Sequence, residues 1–324
     1  MDDYENTDIL PLSEAQTRQY IDAESAWRAL AQARQAACEV RGSMMWRTQA
    51  GRRYLVRVSA SGAQTSLGPA SEANAEIFER FMARKQSEEA RLRRLRETVQ
   101  QPVRMNRARR VGRVPAIVVD TLNALAKAGL QEHFMTVGTH ALYAYGTACG
   151  VRADATATQD IDLRLDARKH LRFVTTMQRL DTSLLGSVQK VDPSFVLRGD
   201  QRYTAVNAAG FEIDVIRRAV QGSGADDPHP LRVSAFEDDF RTVQVSTGQA
   251  LPGGGRFTQM VVATNGRMAT MHAPAPDSFV RIKAGLGRRA DRDPLKRRKD
   301  ALQARMVQQL LEAHGLGYQA GGTA

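Results

Sequence analysis

Two aspartates separated by a single residue, Asp160 and Asp162, are the clearest candidates for chemistry in this sequence. The segment Thr158-Gln159-Asp160-Ile161-Asp162-Leu163-Arg164-Leu165 alternates polar and apolar residues, which predicts a strand. Residues i and i+2 of a strand share a face, so the two carboxylates lie side by side while Ile161 and Leu163 face a core. Neighbouring anions repel, and a divalent cation such as Mg²⁺ or Mn²⁺ offsets that repulsion. An exposed polar face without a metal is the alternative interpretation.

A second acidic strand follows later in the chain. The segment Phe211-Glu212-Ile213-Asp214-Val215-Ile216 also alternates, and its two acids, Glu212 and Asp214, share one face. If this strand lies beside the first, one of these acids completes a three-carboxylate site for two metal ions, which suits phosphoryl or nucleotidyl transfer. The residues alone leave open which of the two acids contributes.

A third feature, Gly138-Thr139, comes between a predicted strand at 133–137 and a predicted helix at 140–149. Glycine lets the backbone approach a phosphate closely, and the Thr139 hydroxyl and the helix N-terminus can donate hydrogen bonds to phosphate oxygens. The alternative is an ordinary helix cap. The order of glycine, paired aspartates and third acid favours a nucleotide-binding catalytic site over three unrelated features.

The elements that must position these groups fall into three regions. Residues 1–112 are predicted to contain an acidic tail over the first dozen residues, a helix, a β-hairpin turning at Ala50-Gly51, and an Arg-rich helix that begins at Ser71-Glu72. Residues 113–273 hold the motifs and end in a hairpin marked by Asn265-Gly266. Residues 274–324 are predicted to be helical, with one helix capped by Asp277-Ser278 and another beginning at Asp293-Pro294. The predicted fold class is α+β, with a small mixed sheet at its centre.

Charge points to a polyanionic partner. The chain of 324 residues has a net charge of +11. Residues 80–113 carry a net +9, residues 281–299 carry a net +7, and residues 1–26 carry a net −6. Two concentrated basic segments indicate nucleic acid first and nucleotide phosphates second. The predicted nucleic-acid contacts are Arg107, Arg109 and Arg110. Solvated helix faces are the alternative interpretation.

Several other classes of protein are disfavoured by composition. Cys38 and Cys149 are the two cysteines, so neither a disulfide framework nor a Cys-rich zinc module is expected. The six histidines lack zinc-ligand spacing. No apolar run approaches the length of a membrane helix, and the acidic N-terminus does not resemble a signal peptide. The expected location is therefore the cytoplasm, with no membrane partner.

The motifs resemble those of the DNA-polymerase-β-type nucleotidyltransferase superfamily, in which Gly-Ser or Gly-Gly at a helix start precedes Asp-x-Asp and a third acid on a later strand. The longer match, residues 137–145 followed by residues 157–163, resembles a largely uncharacterised bacterial group that is related to minimal and toxin nucleotidyltransferases. The likeness extends to the Tyr54-Leu55 hairpin and to the C-terminal helices at 276–283 and 296–304, and thus covers most of the chain. Thr139 departs from the usual Ser or Gly but keeps a hydroxyl.

The resemblance implies a polymerase-β-like core and specific roles for its residues. Asp160, Asp162 and Asp214 would hold the metal ions, and Asp214 would help to deprotonate the acceptor, with Glu212 as the second choice. Lys283 resembles a helical lysine that contacts the triphosphate in relatives, although an exposed helix lysine is the alternative.

The expected function is the metal-dependent transfer of a nucleoside monophosphate from an NTP to an acceptor hydroxyl. RNA, such as a tRNA end, is the favoured acceptor, and a toxin–antitoxin or phage-defence setting is implied by the resemblance. The alternatives are a catalytically inactive nucleic-acid-binding module on the same fold, which the intact carboxylates disfavour, and the modification of a protein or small molecule.

Overall fold

The computed structural model describes residues 9–60, 62–153, 158–166, 183–218, 231–234, 236–245 and 255–316, together with Phe173, Thr175 and Met177. The described residues belong to two compact units. Arg18–Arg109 forms one, called the N-terminal unit, and Met1–Thr17 with Arg110–Ala324 contributes the other, called the main unit.

The N-terminal unit consists of long helices and a three-stranded antiparallel sheet. In chain order the elements from residue 14 to residue 108 are α1 (Glu14–Glu39), β2 (Ser43–Gln49), β3 (Arg52–Val58), β4 (Gln64–Pro69), α2 (Glu72–Thr98) and α3 (Gln100–Ala108). The predicted hairpin is present, and Ala50 and Gly51 adopt the positive φ values that its turn needs. Ser71 caps α2 by accepting a hydrogen bond from the Asn74 backbone N–H at 3.2 Å, as the sequence predicted.

The main unit is built around a mixed β-sheet with helices packed against it. Its elements are β1 (Ile9–Pro11), α4 (Ala116–Lys127), β5 (Phe134–Val137), α5 (Ala141–Ala148), β6 (Val151–Ala153), β7 (Asp160–Leu165), α6 (Leu184–Gln189), β8 (Val196–Leu197), β9 (Thr204–Val206), β10 (Glu212–Arg218), β11 (Leu231–Arg232), β12 (Arg241–Val245), β13 (Arg256–Val262), β14 (Met268–Pro274), α7 (Pro276–Gly287) and α8 (Pro294–His314). The predicted α+β class is confirmed.

The central sheet places the two acidic strands next to each other. Its strand order is β11-β12-β10-β7-β5, and β9 pairs with both β10 and β8. β10 runs parallel to β7 and to β12, whereas β5 is antiparallel to β7. The apolar residues of β7 and β10, Ile161, Leu163, Ile213 and Val215, are buried in the core beneath the sheet. The alternation read from the sequence therefore leaves the opposite face of both strands for the acids.

The remaining elements frame the sheet. β13 and β14 form the antiparallel hairpin that Asn265-Gly266 predicted, and Gly266 has a φ of +85°. α7 and α8 pack against each other. Asp293 caps α8 by accepting a bond from the Lys296 backbone N–H, as expected. Among the helices of the described residues, none combines the length and the apolar character needed to cross a membrane.

Three details of the sequence interpretation were wrong or incomplete. Within the expected acidic tail, Ile9–Pro11 forms a strand paired with β6, a pairing too short to leave a periodic signal; residues 1–8 lie outside the described residues. α7 begins at Pro276 rather than being capped by Asp277-Ser278, since proline fits the first helical position, where no N–H partner is needed. α6 was not anticipated, although Ser183 caps it through the Gly186 backbone N–H.

Candidate active site

The three predicted aspartates meet on one face of the central sheet. β7 and β10 pair in parallel with Asp162 opposite Asp214 and Asp160 opposite Glu212. One carboxylate oxygen from each of Asp160, Asp162 and Asp214 lies within 4.8 Å of the others. Oxygens this close suit a shared hard cation, because carboxylates are the ligands that such cations prefer.

Glu212 has a different partner. Its carboxylate forms an ion pair with the guanidinium of Arg198, on the stretch that follows β8. The carboxylate cluster found among the described residues comprises the three aspartates and not Glu212. The structure thus groups Asp214 with the Asp160–Asp162 pair, although both acids of β10 occupy the same face.

Hydrogen bonds from two threonines orient the carboxylates. The Thr204 hydroxyl on β9 donates to Asp214 Oδ1 at 2.6 Å, which leaves the second oxygen of Asp214 for other partners. The Thr158 hydroxyl donates to Asp160 Oδ1. Thr204 pairs with Asp214 across β9 and β10, and Thr158 lies two residues before Asp160, so each aspartate is held by a neighbouring residue.

The electrostatics of the cluster disfavour three ionised carboxylates side by side. Burial, followed by the charges of Asp160 and Asp214, raises the pKa of Asp162 to about 7. The Lys283 and Lys299 ammonium groups oppose this rise. Burial also raises the pKa of Asp214, and the charges of Asp160 and Glu212 add to the effect. A bound cation would reverse these shifts because it favours the ionised carboxylates. The three residues therefore fit a divalent metal.

Gly138 lies directly against this cluster. Val137, the last residue of β5, is opposite Asp162 in the antiparallel β5–β7 pair, and Gly138 follows with a φ of +66°. A Cβ placed on Gly138 would overlap Asp162 Oδ2. The sequence interpretation gave this glycine a role in phosphate approach; the structure adds that the Asp162 carboxylate itself requires a glycine here.

Thr139 is buried at the entrance to α5 and is bonded to a residue that the sequence analysis missed. The chain passes through a single 3₁₀ turn, Gly138–His140, before α5 begins. The Nε2 of Gln303, on α8, donates to Thr139 Oγ1 at 3.0 Å. Gln303 is a polar residue on the buried face of a helix, three positions after Asp300. That placement is a usable sequence signal once the buried face is known.

Lys283 is buried and ion-paired rather than an exposed helix lysine. Its Nζ donates to Asp300 Oδ1 at 2.7 Å, and Arg292 Nε donates to Asp300 Oδ2 at 2.6 Å. Asp300 thus pairs with two neighbouring bases. Lys283 on α7 and Lys299 on α8 both lower the pKa of Asp162, so positive charge from these two helices acts on the carboxylate cluster.

His140 packs beside the cluster without joining it. Its ring contacts Phe211 and Tyr143, and burial lowers its pKa to about 4 despite the opposing charge of Asp160. The imidazole is therefore neutral at pH 7.

The three arginines predicted to contact nucleic acid are all exposed. Arg107 belongs to α3 and Arg109 follows it in the N-terminal unit, whereas Arg110 opens the second segment of the main unit with a φ of +51°. The Arg110 carbonyl accepts bonds from the Gln16 and Arg152 side chains, so its backbone is held in place. Nucleic-acid contact by these residues remains a prediction.

Comparison with known proteins identifies the segment that carries the site. A family model described as Nucleotidyltransferase matches residues 116–319. This range includes the three aspartates, Gly138-Thr139, Lys283 and Gln303. No curated protein and no solved structure matches the chain.

Proposed function

The chain belongs to the nucleotidyltransferase family, and from that premise we propose that it transfers a nucleoside monophosphate from an NTP to a hydroxyl group of RNA in a metal-dependent reaction. The observation that carries the proposal is the cluster of Asp160, Asp162 and Asp214. An inactive binding module would have no need for three clustered carboxylates, two of which, Asp162 and Asp214, have raised pKa values.

The carboxylate cluster is the proposed metal site. Asp160, Asp162 and Asp214 would hold Mg²⁺ or Mn²⁺, since all three offer hard oxygen ligands. When bound, the metal supplies charge neutralisation at the phosphates and favours ionisation of the attacking hydroxyl. Thr158 and Thr204 keep the Asp160 and Asp214 carboxylates in place for this purpose.

The triphosphate is proposed to bind at the start of α5. The Gly138 and Thr139 backbone, the Thr139 hydroxyl and the helix N-terminus are donors suited to phosphate oxygens. Lys283 contributes positive charge from α7, where its Nζ is held by Asp300, which also accepts a bond from Arg292. Together these groups orient the α-phosphate toward the acceptor.

Asp214 is proposed to receive the proton of the acceptor hydroxyl. Oδ1 is occupied by the Thr204 hydroxyl, so the second carboxylate oxygen takes the proton. A carboxylate beside the attacking hydroxyl can act as its general base. The hydroxyl oxygen then forms a bond to the α-phosphorus, the bond between that phosphorus and the β-phosphate oxygen breaks, and pyrophosphate leaves.

RNA is proposed as the acceptor because of the two basic segments, 80–113 and 281–299. Arginine dominates both, and its planar guanidinium can bind two phosphate oxygens at once. The second segment covers most of α7 and the start of α8, which also carry Lys283 and Asp300. A small-molecule acceptor of cationic type, such as an aminoglycoside, fits this charge poorly.

The test is a transfer assay with each of the four labelled NTPs, with Mg²⁺ or Mn²⁺, and with total cellular RNA, total protein or no acceptor. We expect label in the RNA fraction with wild-type protein and none with Asp160→Asn. Label in the protein fraction alone would reject RNA and retain nucleotidyl transfer. RNA binding without transfer under any of these conditions would favour the inactive binding module.

If the RNA product supports a toxin or defence role, its formation should arrest growth when the protein is expressed in a bacterial host. The matched control is expression of Asp160→Asn at the same level. Arrest by both proteins would separate toxicity from nucleotidyl transfer.

A further inference from the structure

Gln303 is a buried amide whose hydrogen bonding is incomplete. The residue is 2% exposed, and its Nε2 donates to Thr139 Oγ1 across 164 positions of sequence. Its Oε1 is also buried and has no hydrogen-bond partner among the described residues. A buried polar atom without a partner destabilises the folded state. An apolar side chain of similar length would fill the same space on α8 without that cost, so packing alone does not account for a glutamine here.

The bond from Gln303 determines what the Thr139 hydroxyl can do. A threonine hydroxyl has one proton to donate and lone pairs with which to accept. Because Gln303 donates into Oγ1, the Thr139 proton remains for another acceptor, and none is present among the described residues. Thr139 follows Gly138, whose missing Cβ leaves room for the Asp162 carboxylate. The hydroxyl thus has its donor proton free, one residue after the glycine that contacts the proposed metal-binding carboxylate.

We propose that Gln303 is a positioning residue for the nucleotide, which holds the Thr139 hydroxyl as a donor to a triphosphate oxygen. This inference rests on the proposed function and adds a specific residue to it. Asp300 and Gln303 are three positions apart and share one face of α8. One helix face therefore supports both proposed phosphate contacts, Lys283 through Asp300 and Thr139 through Gln303.

The variant that isolates this role is Gln303→Met, which keeps the length of the side chain and removes both amide atoms. It removes the unpartnered Oε1 as well as the bond to Thr139, and because these two effects on stability oppose each other, the melting temperature should change little. Gln308→Met is the matched control, because Gln308 is exposed on the same helix and its side chain donates to Glu312, one turn further along. The substitution is then the same, but it leaves Thr139 untouched.

The measurement is equilibrium binding of magnesium tripolyphosphate and of the four α,β-methylene NTPs to the full chain. We expect Gln303→Met to weaken binding about 5- to 10-fold, the effect of removing one hydrogen bond, and Gln308→Met to leave it unchanged. In the Thr139→Val background, Gln303→Met should have no further effect, because the hydroxyl that it positions is gone.

Two outcomes overturn the inference alone. Equal affinities of the wild-type protein and of Gln303→Met would show that the amide does not act on the nucleotide. The second outcome has two parts: Gln303→Met lowers the melting temperature, and it reduces the affinity equally in the wild-type protein and in Thr139→Val. That result would show that Gln303 supports the fold only. Absence of binding by the wild-type protein to all five probes would instead reject the proposed function, and the inference with it.

Discussion

The position that a side chain on Gly138 would occupy is taken by Asp162. Val137 pairs with Asp162 across β5 and β7, and the chain then turns at Gly138 with a left-handed φ of +66°. A Cβ on Gly138 would overlap Asp162 Oδ2. The proposed phosphate-binding turn and the proposed metal-binding carboxylate are thus in contact, so a displacement of one is expected to displace the other.

This contact predicts an unusually large effect of Gly138→Ala. The positive φ alone costs an alanine about 1–2 kcal/mol, and displacement of the Asp162 carboxylate adds to it. Gly129→Ala is the matched control, since Gly129 has a φ of +73° and its Cβ would meet no atom within 4 Å. Chemical denaturation should show a larger decrease in stability for Gly138→Ala than for Gly129→Ala.

The same contact can be tested by a double-mutant cycle. In the Asp162→Ala background, Gly138→Ala should cost about as much as Gly129→Ala, because the overlap is gone. Equal costs for the two glycine substitutions in the wild-type background would contradict the contact.

Each of the three clustered aspartates should be needed for transfer. Asp160→Asn, Asp162→Asn and Asp214→Asn should each lower kcat at least about 10²-fold, comparable with the effect of removing other preorganised groups. Glu212→Gln is the comparison, because Glu212 shares the β10 face but is ion-paired with Arg198. Steady-state rates with saturating NTP provide the measurement. If Asp214→Asn is more active than Glu212→Gln, Glu212 and not Asp214 is the third carboxylate of the catalytic site.

The raised pKa of Asp162 predicts a pH-dependent stability. In the metal-free folded protein the pKa is about 7, above the value of 3.8 for an ordinary aspartate, so the folded state binds more protons between these values. The contribution of protonated Asp162 to the stability of the folded state is complete below pH 3.8 and is lost as the pH rises through 7. The free energy of unfolding then falls by up to about 1.4 kcal/mol per pH unit. Asp214, whose pKa is also raised, acts in the same direction.

The corresponding measurement compares wild-type protein with Asp162→Asn in EDTA between about pH 5 and pH 8. The variant cannot ionise at this position, so its stability advantage should grow with pH by about 1–3 kcal/mol. Added Mg²⁺ should reduce that advantage, because the metal favours the ionised wild-type carboxylate. An advantage that does not vary with pH would show that Asp162 titrates normally.

Local sequence patterns predict the strands and helices that carry the site. They do not predict the contacts between those elements, which join residues that are remote in sequence. Alternation placed Asp160 with Asp162 and Glu212 with Asp214 on single faces, because that period belongs to one strand. The choice between Glu212 and Asp214 depended on the register of two strands and on Arg198, which no local pattern encodes. Gln303 was missed for the same reason, since its partner Thr139 is remote in sequence.

Removal of the Asp300 carboxylate should destabilise the fold, because this group joins two buried or partly buried cations. Asp300 is 2% exposed and accepts bonds from both Lys283 and Arg292. Asp300→Asn leaves two cations without their counter-charge, and we expect it to destabilise the fold by about 3–5 kcal/mol. Lys283→Met should cost less, because Asp300 keeps Arg292. The control is Asp291→Asn, which breaks an exposed pair with Arg289 and should leave the denaturation midpoint unchanged. Equal stability of the Asp300 and Asp291 variants would refute the buried network.

The final prediction concerns the exposed arginines at the end of the first basic segment. Replacement of Arg107, Arg109 and Arg110 by Gln should weaken RNA binding, because each arginine that neutralises a phosphate releases bound counterions. For single-stranded RNA the slope of log affinity against log salt changes by about 0.7 for each neutralised phosphate, so removing three arginines changes it by about 2. Binding of tripolyphosphate should be unaffected, since these residues are not among those proposed to hold the nucleotide.

A second triple variant separates specific contact from the effect of net charge. Arg28, Arg232 and Arg267 are exposed and lie outside both basic segments. Their replacement by Gln removes three positive charges, the same number as in the first variant. RNA affinity measured over a range of salt concentrations should fall further, and its slope flatten more, for the Arg107/Arg109/Arg110 variant than for this control. Identical curves for the two variants would mean that the first segment keeps the protein solvated and does not follow an RNA backbone. A protein or small-molecule acceptor would then be the better substrate for the carboxylate cluster.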